Sequence, residues 1–366
     1  MFTKNEHSYL MNNGIHMTGQ HNNKKIHIEH EIFQHAIEAF KKNAHLEIEI
    51  KERQPAAEDQ RIDYLLHTVI QGRKVVFAAE VKGTLTKANI SMYVLLKNKY
   101  PKNLLLVTRH VNARLAEQLK QNGIEFIDAA GNAFIDQPPL YIFINGNKPS
   151  ETMRKIPQGR AFKPTGLRVI FSFLCNRGLE NKPYRGIAAA AAVALGTVGW
   201  LMHELKESGY LLDMGDRGKK IVQREKLFQR WVVEYPEKLK RRQFIGRYQG
   251  EKNWWQQKKL DYVHALWGGE VAAAKLTQYL KPETVTIYTT RQFVNQLLLE
   301  NRLKRDPSGD VEILERFWLP DMKMPFKDIV HPILIYADLL ATGNQRTIET
   351  ARMVYEQHIA GLVRED

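Results

Sequence analysis

The chain has 366 residues and a net charge of +14, and 43% of its residues are hydrophobic. That length exceeds one ordinary domain, and the apolar content is sufficient for buried cores. The apolar runs fall short of the roughly 20 residues that span a bilayer, and the single cysteine, Cys175, excludes an intrachain disulfide and a cysteine-based zinc site. We therefore expect a cytoplasmic protein with no membrane association.

The N-terminal third is predicted to form an α/β domain over residues 29–148, after a polar segment, 1–28, that is predicted to be disordered. The predicted elements are a helix from residue 29, strands over 45–52, 61–70 and 74–82, a helix over 90–99, a strand over 103–108, a helix capped by Asn112, and a strand over 124–128. This order predicts a mixed sheet with helices packed against it. Asp128, Gly131 and Asn132 are predicted to form a turn at the end of the last strand.

Asp63, Glu80 and Lys82 are candidate catalytic residues of this domain. Glu80 and Lys82 lie two positions apart on a predicted strand and share one face, and a hairpin can bring Asp63 beside them. The two carboxylates, Asp63 and Glu80, could bind Mg²⁺, and the group could activate a water for phosphodiester cleavage. This pattern resembles the PD-(D/E)xK core of restriction-endonuclease-like proteins. A salt-bridged strand surface is the alternative interpretation.

The positive charge is concentrated in the middle of the chain. Between Glu151 and Lys258 there are 22 lysines and arginines against 10 acidic residues, so this stretch carries most of the excess charge. Such clustering is typical of a surface that binds nucleic acid. A generally basic, well-solvated surface is the alternative.

After a predicted linker over 146–165, three helices and a hairpin are predicted over 160–225. This order is typical of a winged helix-turn-helix, in which a tight turn lets the third helix enter a DNA major groove. The turn is predicted near Ala194–Thr197, with the third helix beginning near Gly196. The alternative is a basic helical module that binds protein.

Six residues of this module are candidate DNA contacts. They lie on the second helix, on the predicted recognition helix and at the tip of the hairpin, where cations suit phosphates or a minor groove. They are Arg185, Thr197, His203, Arg217, Lys219 and Lys220. The recognition helix has no obvious arginine or asparagine to read bases, so phosphate binding is better supported than sequence specificity.

Residues 226–258 are predicted to form a basic helical connector, and residues 259–366 a C-terminal α/β domain. The predicted elements there are a helix over 266–280, a strand over 284–289, a helix over 293–303, a strand over 311–318, and helices over 331–343 and 346–359. Asp338 and Asn344 are predicted to act in helix capping or turns, and a role as polar site residues is the alternative for both. The predicted fold class is therefore a multidomain α/β protein with an endonuclease-like sheet, a winged helix-turn-helix and a C-terminal α/β domain.

Six segments together resemble the AbiEi-type antitoxins of type IV toxin–antitoxin systems, in their larger form. They are AAEVKG (78–83), GIEFIDAAGNAFI (123–135), LMHELKESGYL (201–211), FQRWVVEYPEKLK (228–240), WGGEVAAAKL (267–276) and HPILIYADLLATGNQRTIETARMVYEQH (331–358). The strings DAAGN and YADLLATG are the most specific. Members of the family usually carry the winged helix near the N-terminus, whereas here a nuclease-like domain precedes it.

The resemblance implies a transcriptional regulator that binds double-stranded promoter DNA, represses its own operon and counters a nucleotidyltransferase-type toxin without stable contact. No cofactor is expected for such a protein, and we expect it to bind DNA without cutting it. A homodimer is compatible with this role, because operators are often palindromic. Two alternatives stay open: a Mg²⁺-dependent endonuclease targeted by the winged helix, and an interaction protein whose basic face meets an acidic partner.

Overall fold

The structure is a computed structural model that describes residues 29–44, 48–53, 63–70, 73–95, 103–138, 140–149, 161–319 and 325–364. The chain divides into two compact units, Met1–Gln158 and Gly159–Asp366. The boundary between the units falls inside the predicted linker. The predicted disordered segment 1–28 and residues 150–160 of that linker lie outside the described residues. The predicted class, a multidomain α/β protein, is confirmed.

The first unit contains a seven-stranded sheet whose strands follow one another in chain order, β1 to β7. Its elements are α1 over residues 29–44, β1 Glu49–Arg53, β2 Tyr64–Ile70, β3 Arg73–Lys82, α2 Lys87–Leu95, β4 Leu104–Thr108, α3 Ala113–Gln121, β5 Glu125–Asp128, β6 Ala133–Gln137 and β7 Leu140–Ile144. Strands β3, β4 and β5 are parallel, with α2 and α3 as crossovers, and the other neighbouring strands are antiparallel.

Helices cover both faces of this sheet, because the buried strands alternate their side chains between two apolar clusters. On one face, Phe33 of α1 packs in a cluster that includes Leu105 and Val107 of β4. On the other face, Leu106 of the same strand belongs to the cluster around α2 and α3. Strands β6 and β7 extend the sheet beyond residue 128, where the predicted strands ended.

The second unit combines a helical segment and a hairpin with an α/β segment. Its elements are α4 Pro164–Cys175, α5 Tyr184–Ala190, α6 Leu195–Glu207, β8 Leu211–Asp213, β9 Lys219–Ile221, α7 Arg224–Tyr235, β10 Phe244–Gln249, β11 Ala265–Gly268, α8 Gly269–Thr277, β12 Val285–Thr289, α9 Val294–Glu300, β13 Lys304–Arg305, β14 Val311–Glu315, α10 Pro332–Thr342 and α11 Gln345–Val354. Short 3₁₀ turns cover Leu179–Asn181, Gly215–Arg217, Trp254–Gln257 and Arg291–Phe293. Helix α7 continues through a π-helical turn, Pro236–Lys240, to Arg241–Gln243, and α11 continues through Tyr355–Ile359 to Ala360–Val363.

Strands β8 and β9 form an isolated hairpin, and the remaining strands form a five-stranded sheet in the order β11-β12-β14-β10-β13. Within that sheet, β12 and β14 are parallel. An aromatic cluster joins the helical segment to the α/β segment: Trp231 of α7 stacks on Phe171 of α4 at 5.2 Å between ring centroids, and Phe171 contacts Phe317. The segments predicted as 160–225, 226–258 and 259–366 therefore pack within one compact unit.

Two predicted helices of this unit are wrong over part of their length. The helical connector predicted over 226–258 gives way at Phe244 to β10, which pairs with β14. The helix predicted over 266–280 begins only at Gly269, after the buried strand β11. The apolar run of β11 does not distinguish a buried strand from a helix, because all four of its residues are buried.

Among the described residues, no single helix has both the length and the apolar character needed to cross a membrane; only the bent pair α5 and α6, counted together, reaches that length.

Candidate nucleic-acid interface

Helices α5 and α6 form a sharply bent pair in the second unit. They meet at 103° and are joined by four residues, 191–194. This angle and loop length are typical of helix-turn-helix pairs, whose helices cross at about 90–120°. Ala192 in the loop has a positive φ of 50°. The turn lies earlier than the predicted Ala194–Thr197, because the alanine run leaves the helical conformation before it ends.

Helix α6 has one buried and one open face. Val198, Leu201 and Leu205 are buried against the rest of the unit. On the other face His203 is exposed and Thr197 is half-buried. A Cβ atom added at either glycine of this helix, Gly196 or Gly199, would meet no atom within 4 Å beyond its chain neighbours and the adjacent backbone of the helix itself. The described chain therefore leaves open space at Gly196 and Gly199, on the side of α6 where His203 is exposed.

The hairpin β8–β9 places the two predicted lysines on opposite sides. Lys220 pairs with Leu212 and is exposed, whereas Lys219 pairs with Asp213. Because alternate residues of a strand point to opposite faces, Lys219 lies on the side that carries the buried Ile221. Asp213 also contacts Lys206 of α6 at 3.4 Å.

The other predicted cations of this segment are accessible. Arg185 on α5 and Arg217 at the tip of the hairpin are both exposed. Two residues that sequence reasoning missed lie beside the hairpin. The side chain of Asn181 bonds to the backbone of Lys219, and the ring of Tyr184 lies 6.0 Å from Lys219 Nζ. No local sequence pattern marks either residue, since the contacts join segments about 35 residues apart.

In the first unit, the structure brings Asp63, Glu80 and Lys82 together. Asp63 Oδ2 accepts the backbone N–H of Val81 at 2.7 Å, which holds the Asp63 carboxylate against β3. Lys82 Nζ lies 2.6 Å from Glu80 Oε1; the Glu80 side chain is 6% exposed and that of Lys82 is 40% exposed. Partial burial lowers the pKa of Lys82, but the carboxylates of Glu80 and Asp63 raise it overall. Lys82 is therefore a charged ammonium.

The donor set of this group fits a cation that binds few protein ligands. Glu80 Oε2 is buried and has no hydrogen-bond partner, so it is an available oxygen ligand. Among the described residues, no three histidine, cysteine, aspartate or glutamate side chains converge to hold a metal ion. Mg²⁺ is often held by one or two carboxylates together with substrate phosphates. Asp63 and Glu80 supply that number of carboxylates, whereas a fully protein-coordinated metal would need more ligands.

The string DAAGN forms a turn between β5 and β6, in which the Asp128 carboxylate accepts four hydrogen bonds. Asp128 accepts the backbone N–H groups of Val111, Ala130 and Asn132 at 2.7–2.9 Å, and the side-chain amide of Asn132 at 2.8 Å. Gly131 has a positive φ of 86°. Burial raises the pKa of Asp128, and these hydrogen bonds oppose the shift. The predicted strand-end turn is confirmed, and its carboxylate is fully engaged in structural hydrogen bonds.

The α/β segment of the second unit contains a buried polar network. Lys240 Nζ lies 3.0 Å from both Asp338 and Glu312. Tyr288 donates its hydroxyl to Asp338 at 2.8 Å and bonds to the hydroxyl of Tyr235 at 2.6 Å. The expectation that Asp338 caps a helix or forms a turn is wrong, because Asp338 lies within α10 and anchors this network.

Asn344 does cap a helix, as predicted. Its side chain accepts the backbone N–H of Arg346 at the start of α11. The YADLLATGN string therefore supplies one network residue and one cap.

A bent helix pair with an open second helix, followed by a hairpin with an exposed basic tip, defines the second unit as a candidate DNA-binding unit. Residues 220–360 match the family described as transcriptional regulator, AbiEi antitoxin, type IV toxin–antitoxin system. The resemblance to AbiEi-type antitoxins that the sequence predicts is thus confirmed for these residues. The match begins in β9, so α4, α5, α6 and the first unit lie outside it. No curated protein and no solved structure matches the chain significantly.

Proposed function

We propose that this protein is a DNA-binding transcriptional regulator of the AbiEi antitoxin type, with a winged helix-turn-helix formed by α4 to β9. The observation that carries the proposal is the 103° helix pair followed by the hairpin β8–β9. Three helices and a two-stranded wing, in this order, are the parts that such a module requires. The family match over residues 220–360 supports the regulatory class.

The open face of α6 is the proposed recognition surface. Thr197 and His203 lie on it, and Gly196 and Gly199 leave room for the helix to approach a major groove closely. Arg185 on α5 and the wing cations contact the phosphate backbone in this arrangement. Because Lys219 and Lys220 point to opposite sides of the wing, they contact different phosphates.

The biological role that we propose is repression of the protein's own operon, as part of a type IV toxin–antitoxin system. The proposed counterpart is a nucleotidyltransferase-type toxin encoded beside it and opposed without stable contact. The family description supports the antitoxin role. A homodimer on a palindromic operator is the arrangement that this proposal favours.

The test is a titration of the full-length protein into a fluorescent duplex that contains the region upstream of its own gene. Affinity should fall steeply with salt, because bound cations release counterions from the phosphates. Replacing Lys219 and Lys220 with alanine should weaken binding and reduce the slope of log affinity against log salt by about 1–2. A matched control neutralises two exposed cations outside the winged segment, Lys281 and Arg352. Equal losses in both double variants would contradict the wing as a contact.

A second candidate function is supported by the convergence of Asp63, Glu80 and Lys82. We propose as the alternative that the first unit has a restriction-endonuclease-like fold and is a Mg²⁺-dependent DNA nuclease. Asp63 and Glu80 would hold the ion, which supplies Lewis-acid polarisation when bound. Lys82, held 2.6 Å from Glu80, would keep a positive charge beside the reacting phosphate.

Incubation with supercoiled plasmid and Mg²⁺ or Mn²⁺ separates the two candidates. The regulator proposal expects DNA binding without nicking. Nicking that disappears on chelation and in Lys82→Ala would establish the nuclease instead. Lys74→Ala, which removes an exposed lysine from the same strand, is the matched control.

A further inference from the structure

The wing is a small hairpin with few bonds of its own. Strands β8 and β9 pair over three residues each. A short two-stranded hairpin is marginally stable in isolation. Its tip contains two glycines with positive φ, Gly215 at 62° and Gly218 at 82°. The orientation of the wing therefore depends on contacts with the rest of the unit.

One such contact is a side chain that substitutes for a neighbouring strand. Asn181 Nδ2 donates to the carbonyl oxygen of Lys219 at 2.8 Å, and Asn181 Oδ1 accepts the N–H of Lys219 at 2.6 Å. The amide thus pairs with both backbone groups of one residue of β9, as an adjacent strand would. Asn181 ends the 3₁₀ turn Leu179–Asn181 that precedes α5.

The fit between Asn181 and the wing is close. A Cβ atom on Gly218 would overlap Asn181 Oδ1, so only glycine allows the amide to reach β9. The same contact places Lys219 beside the exposed ring of Tyr184, with Nζ 6.0 Å from the ring centroid. Lys182 and Arg185, on either side of that tyrosine, are also exposed.

We propose that Asn181 is the positioning residue of the wing: it fixes Lys219 beside Tyr184, so that the segment before α5 and strand β9 present one surface to the phosphate backbone of DNA. This inference rests on the proposed DNA-binding function. Asn181 does not touch DNA itself but acts through Lys219. Without the amide, the hairpin keeps its three pairs but loses its fixed orientation, and Lys219 loses its preorganised contact.

The experiment is a double-mutant cycle on full-length protein, with a duplex of the upstream region as the probe. Asn181→Ala should weaken binding about tenfold, the loss of one charge-assisted contact. It should also lower the salt slope by about 1, the value for one phosphate contact. Lys219→Ala should do the same, and the double variant should be no weaker than either single variant, because the two residues act as one contact.

Gly218→Ala tests the same contact from the other side, since the added methyl displaces the Asn181 amide. It should reproduce the loss of Asn181→Ala. The matched control is Asn301→Ala, which removes an asparagine that donates to Leu297 O at the end of α9, outside the winged segment. That variant should leave the salt slope unchanged.

The possible outcomes separate the inference from the proposed function. If the wild-type protein does not bind the duplex, the proposed function fails and the inference fails with it. If the wild-type protein binds and Asn181→Ala retains the wild-type salt slope, only the inference is overturned. A lower melting temperature with an unchanged slope would overturn it as well, because that combination identifies a purely structural asparagine. Additive losses in the double variant would show that Asn181 acts independently of Lys219.

Discussion

His331 should make the stability of the second unit depend on pH. This histidine is 3% exposed and caps α10, with Nδ1 accepting the backbone N–H of Ile333 at 3.2 Å. Its ring packs edge-on against Phe171 at 6.1 Å between centroids. Burial lowers the pKa of His331 from 6.5 to about 4, because the charged imidazolium would lose its hydration.

The direction of the effect follows from proton binding. Between pH 6.5 and about pH 4, the unfolded chain binds a proton at His331 that the folded protein does not. The stability contributed by the neutral ring is therefore complete above pH 6.5 and is lost as the pH falls towards 4. Each unit of pKa difference corresponds to about 1.4 kcal/mol, so the full loss is about 3 kcal/mol.

Urea unfolding followed by tryptophan fluorescence measures this directly. All six tryptophans, Trp200, Trp231, Trp254, Trp255, Trp267 and Trp318, belong to the second unit, so their emission reports that unit alone. The comparison variant is His331→Asn, which keeps a good N-cap and does not titrate. Between about pH 7 and about pH 4.5, the wild-type protein should lose about 2–3 kcal/mol more than the variant. If the free energy of unfolding changed equally with pH in the wild-type protein and in the variant, the argument that burial lowers the pKa of His331 would be refuted.

Two further substitutions test the buried polar groups. Lys240→Met leaves the carboxylates of Asp338 and Glu312 without their shared ammonium. The free energy of unfolding, followed by tryptophan fluorescence, should therefore fall by about 3–5 kcal/mol. A loss below about 1 kcal/mol would mean that water already solvates the two carboxylates. Asp128→Ala removes the acceptor of three backbone N–H groups, so the first unit should lose about 3 kcal/mol by circular dichroism while the tryptophan transition stays unchanged. If the unfolding transition followed by tryptophan fluorescence also shifted, Asp128 would not stabilise the first unit alone.

Local patterns predicted the elements whose determinants lie close together in sequence. Asn112 was identifiable as an N-cap because its partner, the N–H of Leu115, lies three residues away. Strand β3 was identifiable with its shared face for Glu80 and Lys82, since alternation is a property of the strand itself. Strand β10 was not predicted. It contains both exposed and buried residues, and it is held in the sheet by pairing with β14, more than 60 residues later in the sequence.

The candidate interface was predictable in its parts and not in its geometry. The order of the helices, the glycines of the turn and the basic tip of the hairpin each depend on residues that are close together in the sequence. The side of the wing on which each lysine lies depends on the register of β8 with β9. The contact between Asn181 and Lys219 joins residues 38 positions apart, and the network of Lys240 with Asp338 joins residues still further apart in sequence. Neither leaves a periodic pattern, because a single side-chain contact imposes no repeat on the chain.

Helix α7 links the proposed winged helix-turn-helix, α4 to β9, to the α/β segment, and the match to the antitoxin family over residues 220–360 includes α7. Near its start, Arg224 donates to the carbonyl oxygens of Phe173 and Leu174 at the end of α4, and to that of Leu362 at the end of the chain. Beyond its end, Lys240 is fixed by two carboxylates.

The boundaries predicted at residues 225 and 258 would therefore cut through a shared core and expose Phe171 and Trp231, both fully buried. Since burying one large side chain stabilises a fold by about 1.5–3 kcal/mol, none of the three pieces would keep the stability of the whole. Helix α4 cannot rotate relative to α7 without breaking the bonds of Arg224. The bent helix pair, the hairpin and the segment that matches the antitoxin family therefore belong to one folded unit.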